Sequence, residues 1–130
     1  THKWRPWNKT VKKHAEAEEA FHKANDFFVN EDYDKALALY EDAINHDHQE
    51  AKYYLNRAAC YLKTGDDVLV IEDCNHCLKL GFVSPRLYYL KTEAYKLMKN
   101  LEHARECNEE GLKVFSTDEK LLSQKNTLIN

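Results

Sequence analysis

Apolar residues recur along this chain at intervals of three and four, the period of an amphipathic helix. The spacing, with the turn residues between segments, predicts helices over 10–30, 32–47, 51–64, 66–80, 85–99, 100–115 and 118–128. The first is longer than its neighbours, and Thr10–Glu16 extends it.

A second, longer period overlies the first. Written in rows of 34 from Ala17, Ala51 and Pro85, the columns agree. Ala24, Ala58 and Thr92 form a small column, and Phe27, Tyr61 and Tyr95 an aromatic one. Ala36, Val70 and Ala104 share another. Ala43, Cys77 and Gly111 share a fourth, each followed by an aliphatic residue: Ile44, Leu78, Leu112. Small residues mark close helix contacts, and the aromatics fill the space beside them. Asp32, Asp66 and Asn100 fall in one column, where each is expected to N-cap the second helix of its row. Gly65 suits a tight turn and Gly81 a helix stop. Ser84-Pro85 reads as an N-cap with Pro at the first helical position, and Ser116 with Glu119 as a capping box.

These columns resemble the tetratricopeptide repeat. Lys23-Ala24-Asn25-Asp26-Phe27-Phe28, Asp32-Tyr33-Asp34-Lys35-Ala36 and Tyr40-Glu41-Asp42-Ala43-Ile44 are a near-consensus first repeat. Tyr54, Asn56-Arg57-Ala58-Ala59, Tyr61 and Gly65-Asp66 mark the second; the third is looser, with Asn108 where an aromatic is usual. The resemblance implies an all-α fold: a right-handed superhelix of three helix-turn-helix repeats (17–50, 51–84, 85–118) and a C-terminal capping helix near 118–128. The domain then spans 15–130, behind a basic extension at 1–14. It also implies a concave groove, lined by the first helix of each repeat, that holds a segment of another protein.

Three repeats plus a capping helix, with Tyr54-Leu55-Asn56-Arg57-Ala58-Ala59 opening the second, are similar to the co-chaperone subfamily that includes the heat-shock organising protein. That subfamily grips chaperone C-terminal tails ending in Glu-Glu-Val-Asp with a carboxylate clamp of two Asn and three basic side chains. Asn25 and Asn56 match the two asparagines, and Arg86 falls where the third repeat offers Lys. Phe21 stands where the first repeat has Lys, and Leu90 where the third has Arg. Lys91 is one residue off, rotated about 100° around the helix. Glu93 adds a negative charge one turn on. The resemblance therefore implies weakened recognition of chaperone tails, with a heat-shock chaperone C-terminal tail as one candidate partner.

The grid also puts Val29, Leu55, Leu62, Lys96 and Leu97 in the groove beside Phe21, Asn25, Phe28, Asn56, Lys63, Arg86, Tyr89, Leu90 and Glu93. Such a surface suits an amphipathic helix, or an extended apolar segment with one acidic contact. The alternative for Leu55 and Leu97 especially is packing between helices.

Composition agrees with short-looped helices: 130 residues contain only three Gly and two Pro. Residues 1–13 hold Lys3, Arg5, Lys9, Lys12 and Lys13 and no acid. The formal total is −3, so the remainder carries −8. An acidic body argues against nucleic-acid binding, and the short apolar runs against a membrane span. The chain lacks an initiator Met and a signal-peptide pattern, and reads as a piece of a longer protein. Four Cys without framework spacing fit a reducing compartment, cytoplasmic with the nucleus as the other option.

Other chemistry is sparse. Cys74-Asn75-His76-Cys77 sits mid-helix on core columns, with no second ligand pair at finger spacing, and reads as buried thiols. His46 and His48 lie where a helix ends and answer its dipole. No nucleophile–base pair or phosphate loop is seen, so neither an enzyme nor a metal or cofactor site is expected. Trp4 and Trp7 flank Arg5-Pro6; they either fold back over the first repeat or dock onto a protein or a neighbouring domain of the parent chain. The expected function is a protein–protein interaction module in a co-chaperone or assembly factor. The alternative is a scaffold or oligomerisation domain whose groove is filled by its own chain.

Overall fold

The computed structural model describes residues 6–129, with side chains from 9 onward. The expected placement of the Trp4–Trp7 segment lies outside the residues whose side chains are described. Among the described residues the chain forms α1 (Pro6–Val29), α2 (Tyr33–His46), α3 (Ala51–Thr64), α4 (Asp67–Lys79), α5 (Pro85–Leu97), α6 (Leu101–Val114) and α7 (Glu119–Asn126). Among the described residues the first helix reaches back to Pro6 rather than Thr10, so residues 6–13 of the basic segment continue the helix of the first repeat. None of these helices is long and apolar enough to cross a membrane.

Successive helices pair in order, and α1, α3, α5 and α7 also touch in sequence, which makes them one layer of a two-layer stack with α2, α4 and α6 outside. The small columns are where the layers meet. Ala24, Ala58, Thr92, Ala36, Val70, Ala104, Ala43 and Cys77 are all fully buried. At Gly111 the contact is tight: a Cβ there would lie 2.7 Å from that of Tyr88, so only glycine fits. All four cysteines are buried free thiols, and burial pushes Cys74 and Cys77 upward, the latter to about 12.

The turn within each repeat is the same device three times. Asp32, Asp66 and Asn100 donate backbone N–H bonds to the carbonyls of Phe27, Tyr61 and Tyr95, each at 2.9 Å, closing the preceding helix. This geometry puts the residue before each of them at positive φ: Gly65 at 80°, but Glu31 and Lys99 at 61°. Only Gly65 adopts that region without steric cost. Lys99→Gly is therefore expected to stabilise the domain by about 1 kcal/mol, read as a rise of a few degrees in melting temperature. No gain would mean that the third turn does not hold this conformation in solution.

Two capping expectations are corrected. Asp32 and Asn100 accept from the N–H groups of Lys35 and His103 as expected, but Asp66 caps nothing and instead accepts from the Thr64 hydroxyl at 2.6 Å. For α7 the cap is Asp118, accepting from Leu121 N, not Ser116. Ser84 caps α5 ahead of Pro85 as expected.

Helix α7 is held by polar contacts as well as by Leu121. Asn108, in the column that holds Tyr40 in the first repeat, is buried and donates to Leu121 O and Gln124 Oε1, both at 3.0 Å. Gln124 donates to Tyr89 O and Glu93 Oε2, both at 2.9 Å. The departure from the aromatic pattern at Asn108 is what ties the capping helix on.

Candidate functional site: a groove along the inner helices

The inner layer encloses a groove of about 590 Å3, walled by Phe28 of α1, Ala59, Leu62 and Lys63 of α3, Arg86, Tyr89, Leu90 and Glu93 of α5, and Asp118 and Lys120 beside and in α7. It adjoins a second concavity, lined by Asn25, Val29, Tyr33 and Asn56, that shares Phe28, Lys63 and Arg86. The two are joined walls of one surface.

At that junction three side chains from three repeats meet. Asn56 Nδ2 donates to Asn25 Oδ1 at 2.8 Å, and Arg86 Nη1 donates to Asn56 Oδ1 at 2.7 Å. The Tyr40 hydroxyl of α2 also donates to Asn25 Oδ1. Burial pushes the Tyr40 phenol far up, so it remains a donor at all physiological pH. The Asn25 oxygen is thus occupied twice, and among the described residues its NH₂ donates to nothing. Asn25, Asn56 and Arg86 offer N–H donors and one full positive charge toward a concave, partly apolar space. Lys63, exposed on the same walls, adds a second charge. Such a set matches a carboxylate or a peptide carbonyl.

The structure places other expected groove residues elsewhere. Phe21 is a core residue, 7% exposed, with its ring centroid 5.0 Å from that of Tyr53 and 6.1 Å from that of Tyr40. Leu55, 5% exposed, packs between helices, the alternative raised for it, whereas Leu97 is 49% exposed. Leu90 touches the groove but is only 6% exposed, so it forms floor rather than rim. Lys91 does not substitute for a cation at 90: it lines neither wall of the groove.

Lys52 is also committed. Its Nζ sits 2.8 Å from Glu18 Oε1 and 5.2 Å from the centroid of the Phe21 ring. Glu18 also accepts from the Tyr53 hydroxyl. Burial would raise the Glu18 carboxyl, but the bonds from Lys52 and Tyr53 outweigh it and hold it below the usual range. Glu93 Oε2 accepts from Lys96 at 3.1 Å and from Gln124, while its other oxygen accepts nothing among the described residues.

Sequence reasoning missed two contributors. Tyr40 reaches in from an outer helix to hold Asn25. Lys120 comes from the capping helix, expected only to cover the open end. A signal for Lys120 existed: one further step of 34 from Arg86 falls on it.

No protein-family profile matches the chain. An Hsp70-Hsp90 organizing protein of Triticum aestivum is 33% identical over 106 residues, covering 82% of this chain; the chain spans only 18% of that relative's length. The Arabidopsis OM64 TPR domain shares the fold with a TM-score of 0.84 at 20% identity, covering 89% of this chain and 96% of that one. The first TPR of Spaghetti (RPAP3), solved bound to the HSP90 peptide SRMEEVD, gives a TM-score of 0.83 at 21% identity, covering 88% and 91%. With the columns of 34, the paired layers and the groove, these likenesses give the chain the all-α tetratricopeptide-repeat fold, similar in sequence to part of an Hsp70-Hsp90 organizing protein.

Proposed function

We propose that the domain is a peptide-binding module that receives a segment of a partner protein in the groove of α1, α3, α5 and α7. The observation that carries this reading is the hydrogen-bonded cluster of Asn25, Asn56 and Arg86 opening beside the apolar walls of Phe28, Leu62 and Tyr89. The amides and the guanidinium fix the register of a ligand, and the aromatic walls supply burial worth about 1.5–3 kcal/mol per ring. The scaffold alternative, with the groove filled by the domain's own chain, is not favoured: a solved neighbour carries a peptide of a separate protein. A role in a co-chaperone or assembly factor belongs to this reading, as does a cytoplasmic or nuclear setting, supported by four buried free thiols.

Recognition of heat-shock chaperone tails is weakened, because Phe21 and Leu90 are apolar and buried and Lys52 is held by Glu18. Each missing charge-assisted contact costs about 1.5–3 kcal/mol, so a micromolar tail contact moves beyond about 100 µM. Calorimetry with a peptide ending in Glu-Glu-Val-Asp tests this. Low-micromolar binding, abolished by Asn25→Ala or Asn56→Ala, would show that Arg86 and Lys63 suffice and the tail is a strong ligand.

The groove itself is tested by pull-down from lysate with wild type and with Tyr89→Ala, whose backbone carbonyl still accepts from Gln124. Partners should be lost with the variant. Identical recovery would move the binding surface away from the groove.

A further inference from the structure

We propose that α7 carries a second docking surface, on its outer side, and that its occupant is an amphipathic helix of a partner protein with two small residues seven positions apart. Leu122 and Ile129 form the surface, 44% and 68% exposed. Leu122 lies about 200° around the helix from Lys120, which lines the groove, so the two surfaces are on different sides of α7.

The repeat shows what this surface fits. On each inner helix two columns bear on the outer helix of the same repeat. In one, the Tyr54 ring lies 4.2 Å from that of His76 of α4, and Tyr88 packs against Gly111 of α6. In the other, the Tyr95 ring lies 5.2 Å from that of His103 of α6, and Phe27 sits 5.4 Å below the ammonium of Lys35 of α2. One further step of 34 takes these columns to Leu122 and Ile129. The register holds that far, because Leu121 and Leu128 are buried as Leu87 and Ala94 are, one step earlier. Yet among the described residues α7 packs only on α5 and α6, and no outer helix covers it. Leu122 and Ile129 therefore continue an interface that the other three inner helices have filled.

Those filled interfaces define the occupant. Each outer helix turns a pair of small or short residues toward the large side chains of its inner helix: Ala36 and Ala43, Val70 and Cys77, Ala104 and Gly111, all buried. Residues seven apart share one face of a helix, two turns on. A second copy of α7 would instead bring Leu122 and Ile129 against large side chains like themselves, ridge on ridge, without the small residues that let two helices close.

A peptide of the sequence 32–47, held helical by a lactam bridge on the face away from Ala36 and Ala43, is the probe. Titrated into isotope-labelled domain, it should shift the amide resonances of Leu122, Lys125 and Ile129 and leave those of Asn25 and Asn56 in place. Leu122→Ser with Ile129→Ser should weaken binding about tenfold or more, while the melting temperature moves by no more than about two degrees, since Leu121 and Leu128 still hold α7. Ala36→Glu with Ala43→Glu in the peptide should abolish binding. No binding, shifts confined to the groove, or affinity indifferent to either pair of substitutions would overturn the proposal. So would dimerisation of the peptide-free domain that the two serines abolish, which would assign the face to a second copy.

Discussion

Replacing Phe21 with Ala should cost about 3–5 kcal/mol of stability. The ring is buried beside Tyr40 and Tyr53, with the Lys52 ammonium over its face, where α1, α2 and α3 meet. Truncation leaves a cavity between three helices that the rigid neighbouring rings cannot fill. It also strips the cover from the Lys52–Glu18 pair and the Tyr53–Glu18 bond. Domains of this size hold about 5–15 kcal/mol in all, so the variant should lose much of its margin. Urea unfolding monitored by circular dichroism measures it. Tyr89→Ala, at the half-buried wall of the groove, is the control and should change stability far less. A loss below about 1 kcal/mol for Phe21→Ala would mean that the ring is not packed at the junction.

Arg57→Ala is the second large effect, again about 3–5 kcal/mol. Arg57 Nε and Nη2 grip Asp73 at 2.8 and 2.7 Å, and its guanidinium lies 5.7 Å from the ring centroids of both Tyr54 and Tyr61. The Asp73 side chain is only 7% exposed. Burial pushes the Asp73 carboxyl above its ordinary value even with the arginine opposing it. Without Arg57 the carboxylate is buried unpaired and its pKa rises further. The sign of the pH effect follows. The native state of the variant then holds a proton that the unfolded state, with its lower pKa, gives up. Stability therefore falls as pH rises through the raised native value, and the deficit against wild type is smaller at pH 5 than at pH 7.5. Thermal melts at the two pH values measure this. A deficit independent of pH would assign the loss to packing alone. Arg57→Met with Asp73→Leu, which removes both charges, should recover most of the stability.

Residues whose role follows from the repeat pattern alone were legible before the structure. The columns of 34 placed the small-residue seams between the layers, because a helix pair buries its small residues wherever the same short sequence is repeated. Asn25 and Asn56 were legible too, since each lies on the open face of its helix. What escaped was side-chain contact between helices, within a repeat as well as between repeats. Phe21 shares a helix face with Asn25, four residues on. Whether that face is open at 21 depends on Tyr40 and Tyr53, which come from two other helices.

Lys52 is a charge in the sequence and a neutralised one in the fold, because Glu18 reaches it from the preceding repeat. Asn108 read as a loss of consensus and is the tether of α7. The repeat period thus dictated the helices, their order and their buried seams, all of which depend on local pattern. Tertiary structure decided which groove positions are open and which charges are unspent, because burial and ion pairing belong to neighbours that the period of a single helix does not contain.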